Sequence, residues 1–370
     1  MSNILRCSAF LAYVLALLVT AALPTAAADF SAPGPFAVGW QTLEIPDPTG
    51  GKAALTVQAW YPAASPKGVG APTQIKAEKD AAPATTGPFP LVVVIHGAGG
   101  QAMLHATLGK HLASYGFVVL AANYDGADTS EEKALSFFDG VAVHMLYTRP
   151  MTVLKVVGLA DTLTAPGGPL AGVIDTSQIG VWGHSSGGTT ALQAAGAQID
   201  FKEMDSWCDA NPAEKGGETC QFVSHVNAVA KLYGAPDPLA APLPPISDNR
   251  VAALVLAAPG GELHAFGDTG VAVVKVPTLT MVSTSDEYVN PGFNALWAYD
   301  HIASEDKSLA VFDQGGHMMF VAGTGARFDQ AVALTTAFFL DILRDDSSGK
   351  AALMPAAVSY VGVTYKTTIQ

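Results

Sequence analysis

Short, unbroken apolar runs constrain this chain more than any other feature. The first is LVVVI at 91–95, and others follow at 117–122, 179–182, 251–257 (VAALVLA), 278–282 and 309–312. A strand with one wet face alternates apolar and polar residues. A run such as LVVVI is apolar on both faces, which suits a parallel sheet covered on both sides. Helix-type patterns separate the runs, at 102–114, 145–163, 186–198 and 326–344. Strands alternating with helices predict an α/β fold with helices on both faces of a mostly parallel sheet.

The flanking segments read differently. Residues 36–45 and 53–61 alternate and are rich in Val, Thr and aromatics, so they are expected to pair antiparallel through the turn Pro48-Thr49-Gly50-Gly51. Residues 62–90 are rich in Pro, Ala and Gly and read as a long surface loop. Pro150 is placed near the start of its helix, where a missing N–H costs little. Residues 199–248 interrupt the strand–helix rhythm. A connection this long is usually functional, so it reads as a small lid or pocket wall, with a neutral surface insertion as the alternative.

Residues 1–28 have the pattern of an export signal. Arg6 supplies a positive start, residues 9–23 are apolar, and Ala26-Ala27-Ala28 offers a cleavage site before Asp29. The alternative is a retained anchor, but the apolar run is only ~15 residues where a span needs ~20. No later run is long enough to cross a bilayer. The expected mature protein is one domain, 29–370, in the periplasm or the medium. Arg6 is the only charge removed, which leaves 18 Lys+Arg against 32 Asp+Glu. Such an acidic chain is a poor partner for nucleic acid. A hydrophobic content of 49% excludes a disordered chain. Cys7 leaves with the signal. The remaining pair, Cys208 and Cys220, in an oxidising compartment, points to a disulfide rather than two free thiols. Two cysteines without clustered histidines make a poor zinc set.

The chemistry centres on Gly183-His184-Ser185-Ser186-Gly187, which follows IGVW and precedes a helix pattern. G-x-S-x-G between strand and helix is a nucleophile elbow, a sharp turn that lifts the serine hydroxyl above the sheet. An attacked carbonyl needs oxyanion donors. These are usually the amide after the nucleophile and one from an earlier loop, here Ser186 and Ala98 of His96-Gly97-Ala98-Gly99-Gly100. His96 precedes the nucleophile and reads as a loop brace. In this chain order an acid follows the serine and a histidine follows the acid. Asp286 ends the 278–282 strand, with Glu287 as runner-up and Asp268 third. His317 follows the last strand after Gly315-Gly316. His225 and His264 come before the acid, and His301 has no strand before it. Ser185 is then the nucleophile, His317 the base and Asp286 its orienter, with no metal or cofactor required.

These residues resemble the α/β-hydrolase superfamily. Within it, the chain is similar to bacterial dienelactone-hydrolase-like proteins related to the plasma-type platelet-activating-factor acetylhydrolases. The likeness is carried by Val57-Gln58-Ala59-Trp60-Tyr61-Pro62, the HGAGG loop, Thr148-Arg149-Pro150, IGVWGHSSGG, and the strand–acid and GGH segments. It implies a serine hydrolase of carboxylic esters with the triad on Ser185, Asp286 and His317; with the export signal, the expectation is an exported serine hydrolase acting on a small-molecule or lipid-like ester. Dienelactone hydrolases proper use cysteine where this chain has Ser185. Cutinase-type polyester hydrolases often carry Met and an aromatic residue where this chain has Ser186 and Ala98. A polyester or lipid-acyl hydrolase is the runner-up, and a catalytically silent binding protein of the same fold is the reading from another class. A halide-releasing enzyme needs a carboxylate at Ser185. Oligomeric state is left open.

Overall fold

The computed structural model describes residues 29–46, 55–64, 75–123, 136–212, 218–321 and 323–369. The signal-like segment 1–28 and the turn at 48–51 lie outside the described residues. The strands are β1 (Ala37–Ile45), β2 (Leu55–Ala63), β3 (Ala77–Lys79), β4 (Phe89–Ile95), β5 (Val118–Ala122), β6 (Ile174–His184), β7 (Val251–Ala257), β8 (Thr278–Ser283), β9 (Lys307–Phe312) and β10 (Val363–Thr367). They form one sheet in the order β10-β9-β8-β7-β6-β4-β5-β2-β1-β3. From β4 to β9 every pairing is parallel. β2 runs antiparallel to both β1 and β5, and β10 runs antiparallel to β9. This is the α/β-hydrolase fold.

The solid apolar runs are explained by two cores, one on each face of the sheet. Along β4, Leu91, Val93 and Ile95 join one core and Val92 and Val94 the other. The first core is closed by helix α2 (Arg149–Thr164), through Val153, Val156, Val157 and Ala160, and by α3 (Ser186–Ala194), through Ala191 and Leu192. The second is closed by α1 (Ala106–Ser114), through Leu108 and Leu112, and by α6 (Ala326–Arg344), through Phe338 and Phe339. Because β4, β6, β8 and β9 are parallel, the loops at their carboxyl ends open on one edge of the sheet. In open α/β sheets that edge is where ligands bind.

The helix expected from residue 145 starts earlier. Phe137–Val143 is already helical, capped by Ser136, whose hydroxyl accepts the Asp139 amide. A π-helical turn, His144–Thr148, then leads into α2. Pro150 therefore lies within a continuous helical run, and it has no N–H for the Leu146 carbonyl four residues back. That carbonyl is satisfied from outside the helix, by Gln193 Nε2 at 3.0 Å and Tyr233 Oη at 2.9 Å.

The described part of 199–248 holds α4 (Phe201–Ala210), a short helix Glu218–Gln221 and α5 (Val226–Leu232). Asp200 caps α4 by accepting the amides of Lys202 and Glu203. Cys208 and Cys220 are joined in a disulfide, with Cα atoms 5.7 Å apart. Trp207 stacks on His264 with ring centroids 3.6 Å apart, and the Thr219 hydroxyl donates to Gly261 O at 2.6 Å. The segment is thus fastened to the loop after β7. No helix among the described residues is long and apolar enough to cross a membrane.

Candidate active site

β6 runs straight into α3, with Ser185 alone at the turn. Ser185 has φ 54° and ψ −128°, a backbone conformation that residues other than glycine rarely adopt and that costs about 1–3 kcal/mol. The turn is tight enough to require its glycines. A Cβ at Gly183 would lie 2.1 Å from the Gly187 carbonyl oxygen, and one at Gly187 2.3 Å from Ile95 O. Three backbone hydrogen bonds hold Ser185 in place. Its amide donates to Ala257 O at 3.0 Å, and its carbonyl accepts from Gly188 N at 2.7 Å and Gly260 N at 3.3 Å.

Ser185 and His317 line the same cavity, of about 270 Å³. Its walls come from the loop after β4 (His96, Gly97, Ala98, Gly100), from His105, from the elbow (His184, Ser185), and from the loops after β8 (Tyr288, Val289) and β9 (His317, Met318, Val321). None of the described residues of 199–248 lines it.

The acid and the histidine meet across these last two loops. His317 Nδ1 lies 2.7 Å from Asp286 Oδ2, and both side chains are buried. Asp286 Oδ1 also accepts the amides of Tyr288 at 3.0 Å and Val289 at 2.9 Å. Burial pushes the Asp286 carboxyl up. The hydrogen bonds from His317 and from those amides outweigh burial and leave it below its ordinary value. Glu287, the neighbouring acid, makes a different contact: its Oε2 accepts the backbone N–H of His317 at 2.9 Å. It holds the loop, while Asp286 holds the ring. Asp268 faces elsewhere, accepting from Trp297 Nε1 and pairing with His301. His225 pairs with Asp139 on the surface, and His264 is stacked under Trp207.

Of the two amides expected to stabilise an oxyanion, Ala98 lies on the cavity wall. Ser186 opens α3, where an amide has no partner within the helical ladder. The Ser186 hydroxyl donates to the buried Glu262 Oε1 at 3.2 Å. The loop carrying Ala98 presses on the elbow, since a Cβ at Gly97 would lie 2.9 Å from Ser185 Cβ. Two residues brace this loop. His96 Nδ1 donates to Gly97 O at 2.7 Å, and the guanidinium of Arg149, 1% exposed, donates to His96 O and to Thr190 Oγ1. Sequence reasoning marked Thr148-Arg149-Pro150 only as a point of resemblance. Its work here, tying α2 to the loop after β4, had no sequence signal beyond an arginine in an apolar helix. His184 was also missed. Its Nε2 donates to the His317 carbonyl at 3.1 Å, and the two rings lie 4.6 Å apart.

Burial holds several other histidines of this chain well below their ordinary range. His184 is pushed down to about 3, by burial first and by the neighbouring His317 second, and His96 to about 4. Burial likewise takes His105 to about 3, and His111 and His264 to about 4. In the unfolded chain each takes up a proton near pH 6.5; in the folded chain none does until about pH 4 or lower. The unfolded state therefore binds more protons in this window, and stability falls as pH drops from 6.5 towards 4. Each such histidine contributes a slope of ~1.4 kcal/mol per pH unit. Urea unfolding at pH 7 and pH 5 is expected to show a loss of several kcal/mol. His111 lies away from the cavity, with Nε2 on Phe30 O, so His111→Gln is expected to flatten that slope by about one group's share. An unchanged slope contradicts the account.

An α/β-hydrolase sheet with a serine elbow, an Asp–His pair and a shared cavity defines the class. Residues 42–139 match the family model described as platelet-activating factor acetylhydrolase, isoform II. The match runs from the second half of β1 through the loop after β4 to Asp139, and it ends before Ser185. Over that stretch the chain is similar to the platelet-activating-factor acetylhydrolases, a family of carboxylic ester hydrolases, and its sheet has the α/β-hydrolase order.

Proposed function

We propose that the protein is an exported serine esterase, mature from Asp29, in which Ser185 attacks the ester carbonyl. His317 takes the serine proton and returns it to the leaving alcohol. Asp286 fixes the imidazole so that Nδ1 carries its hydrogen and Nε2 is left to take the serine proton, and it stabilises the charged ring as it forms. The amides of Ala98 and Ser186 receive the oxyanion. Water, activated by the same histidine, then releases the acid from the acyl-enzyme. One observation carries this reading: the strained Ser185 lines a single cavity with His317, whose Nδ1 is held by Asp286. Export rests on the sequence of residues 1–28.

A second reading, hydrolysis of esters presented on an apolar surface such as a lipid or polyester, is favoured by the cavity mouth. Leu104, Tyr288 and Met318 are 50%, 70% and 44% exposed and all line it.

The test is labelling of the folded mature protein with a fluorophosphonate, the modified peptide being mapped by mass spectrometry. Stoichiometric modification of Ser185 is expected. A folded protein that stays unmodified overturns the reading and favours a binding role for the fold. Turnover of a monomeric ester compared with the same ester above its solubility separates the two substrate readings.

A further inference from the structure

The two sides of the cavity differ. In the sheet order, the elbow after β6 stands between the loop after β4 and the loops after β8 and β9. Gly97 and Ala98 line the β4 side. Tyr288, His317 and Met318 line the other. Tyr288 follows Asp286 by two residues and Met318 directly follows His317. Both are open to solvent, at 70% and 44% exposure, whereas His317 is buried. The Tyr288 ring lies 5.3 Å from the His317 ring. Its backbone is held in place, because the Tyr288 amide donates to Asp286 Oδ1 at 3.0 Å. The base is thus flanked by an exposed aromatic ring on a fixed backbone and by an exposed thioether.

The direction of the reaction gives these two side chains a use. The proton that His317 takes from the serine goes to the oxygen of the departing alcohol. That oxygen must come within hydrogen-bond reach of the His317 ring, so the alcohol begins beside Tyr288 and Met318. The carbonyl oxygen turns to the amides of Ala98 and Ser186, and the acyl chain takes the remaining direction from the tetrahedral carbon. A bulky apolar alcohol covers the Tyr288 ring and removes apolar surface of both from water. An aromatic alcohol adds a ring–ring contact. A small alcohol such as ethanol covers little of either side chain.

We propose that Tyr288 is a specificity-determining residue that, with Met318, forms the subsite for the leaving alcohol, so that esters of bulky apolar alcohols are preferred over esters of small ones. This rests on the esterase reading above.

The experiment compares kcat/KM within two pairs of esters, all kept below their solubility so that no ester surface is present. Benzyl butyrate against ethyl butyrate varies the alcohol. Ethyl 4-phenylbutyrate against ethyl butyrate varies the acyl chain. The first pair gives one and the same butyryl-enzyme, so its ratio reports only the steps up to departure of the alcohol. The wild-type enzyme is expected to prefer benzyl butyrate by about 10-fold. In Tyr288→Ala that ratio is expected to fall by at least about fivefold while the acyl-side ratio stays within about twofold of wild type. In Tyr288→Phe, which keeps the ring, the benzyl preference is expected to survive. Tyr288 is largely exposed, so neither substitution is expected to unfold the protein, and labelling of Ser185 checks this in each variant. A Tyr288→Ala enzyme that keeps the wild-type benzyl preference, or that changes the acyl-side ratio instead, overturns the proposal. A wild-type enzyme with no preference for benzyl butyrate overturns the subsite and leaves the esterase standing. Absence of turnover on all three esters, with Ser185 unlabelled, places the failure in the esterase reading itself.

Discussion

Ser185→Ala is expected to lower turnover of a reporter ester by about 10⁴- to 10⁶-fold while leaving the fold intact. Alanine keeps the Cβ, so the backbone strain at this turn is the same in both proteins, and the hydroxyl makes no contact on which the turn depends. The three hydrogen bonds that hold the residue are all backbone bonds. Loss of activity is therefore expected without a change in melting temperature or in circular dichroism. His317→Ala is expected to cost a similar factor, and the double variant little more than either alone, because nucleophile and base act as one unit. Turnover within about tenfold of wild type in either single variant removes the assignment.

The second large effect separates two adjacent carboxylates. Asp286→Asn is expected to lower kcat by roughly 10⁴-fold. An amide at this position accepts the Nδ1 hydrogen less well, and with its NH₂ turned to the ring it favours the tautomer that carries its hydrogen towards the serine. Glu287→Gln is expected to cost only a few-fold, since a glutamine oxygen still accepts the His317 amide that Glu287 Oε2 now receives. The pair is read by pre-steady-state kinetics on the same reporter ester. A larger loss in Glu287→Gln than in Asp286→Asn reverses the two roles.

Much of the sheet was legible because strands buried on both faces write themselves as solid apolar runs. What was missed follows from the same physics. β10 carries Thr364, Lys366 and Thr367 and lies at the sheet margin, half-buried at most, so no apolar run announces it. β3 is three residues long, too short to hold a pattern. The helix before α2 was overlooked because Pro150 reads as a helix start, and nothing local shows that Gln193 and Tyr233 satisfy the carbonyl that Pro150 cannot. At the candidate site, chain order marked Ser185, Asp286 and His317 as candidates, and the fold brings His317 to Asp286 and into one cavity with Ser185. The supporting residues were not legible. Glu287 bracing the His317 amide, His184 donating to the His317 carbonyl and Arg149 gripping the loop after β4 are contacts between segments far apart in sequence. Their residue types carry no spacing that could have announced them.

The conformation of Ser185 sets its side chain against the stability of the fold. At φ 54° glycine would sit without strain, and random substitution under pressure for stability alone would drift there, since a side chain at this corner contributes nothing to either core. A serine there costs the fold that strain, and what it brings in return is a hydroxyl on the cavity wall. In this sense the corner is a debt carried by the fold, and the large two-sided core is what allows the fold to carry it.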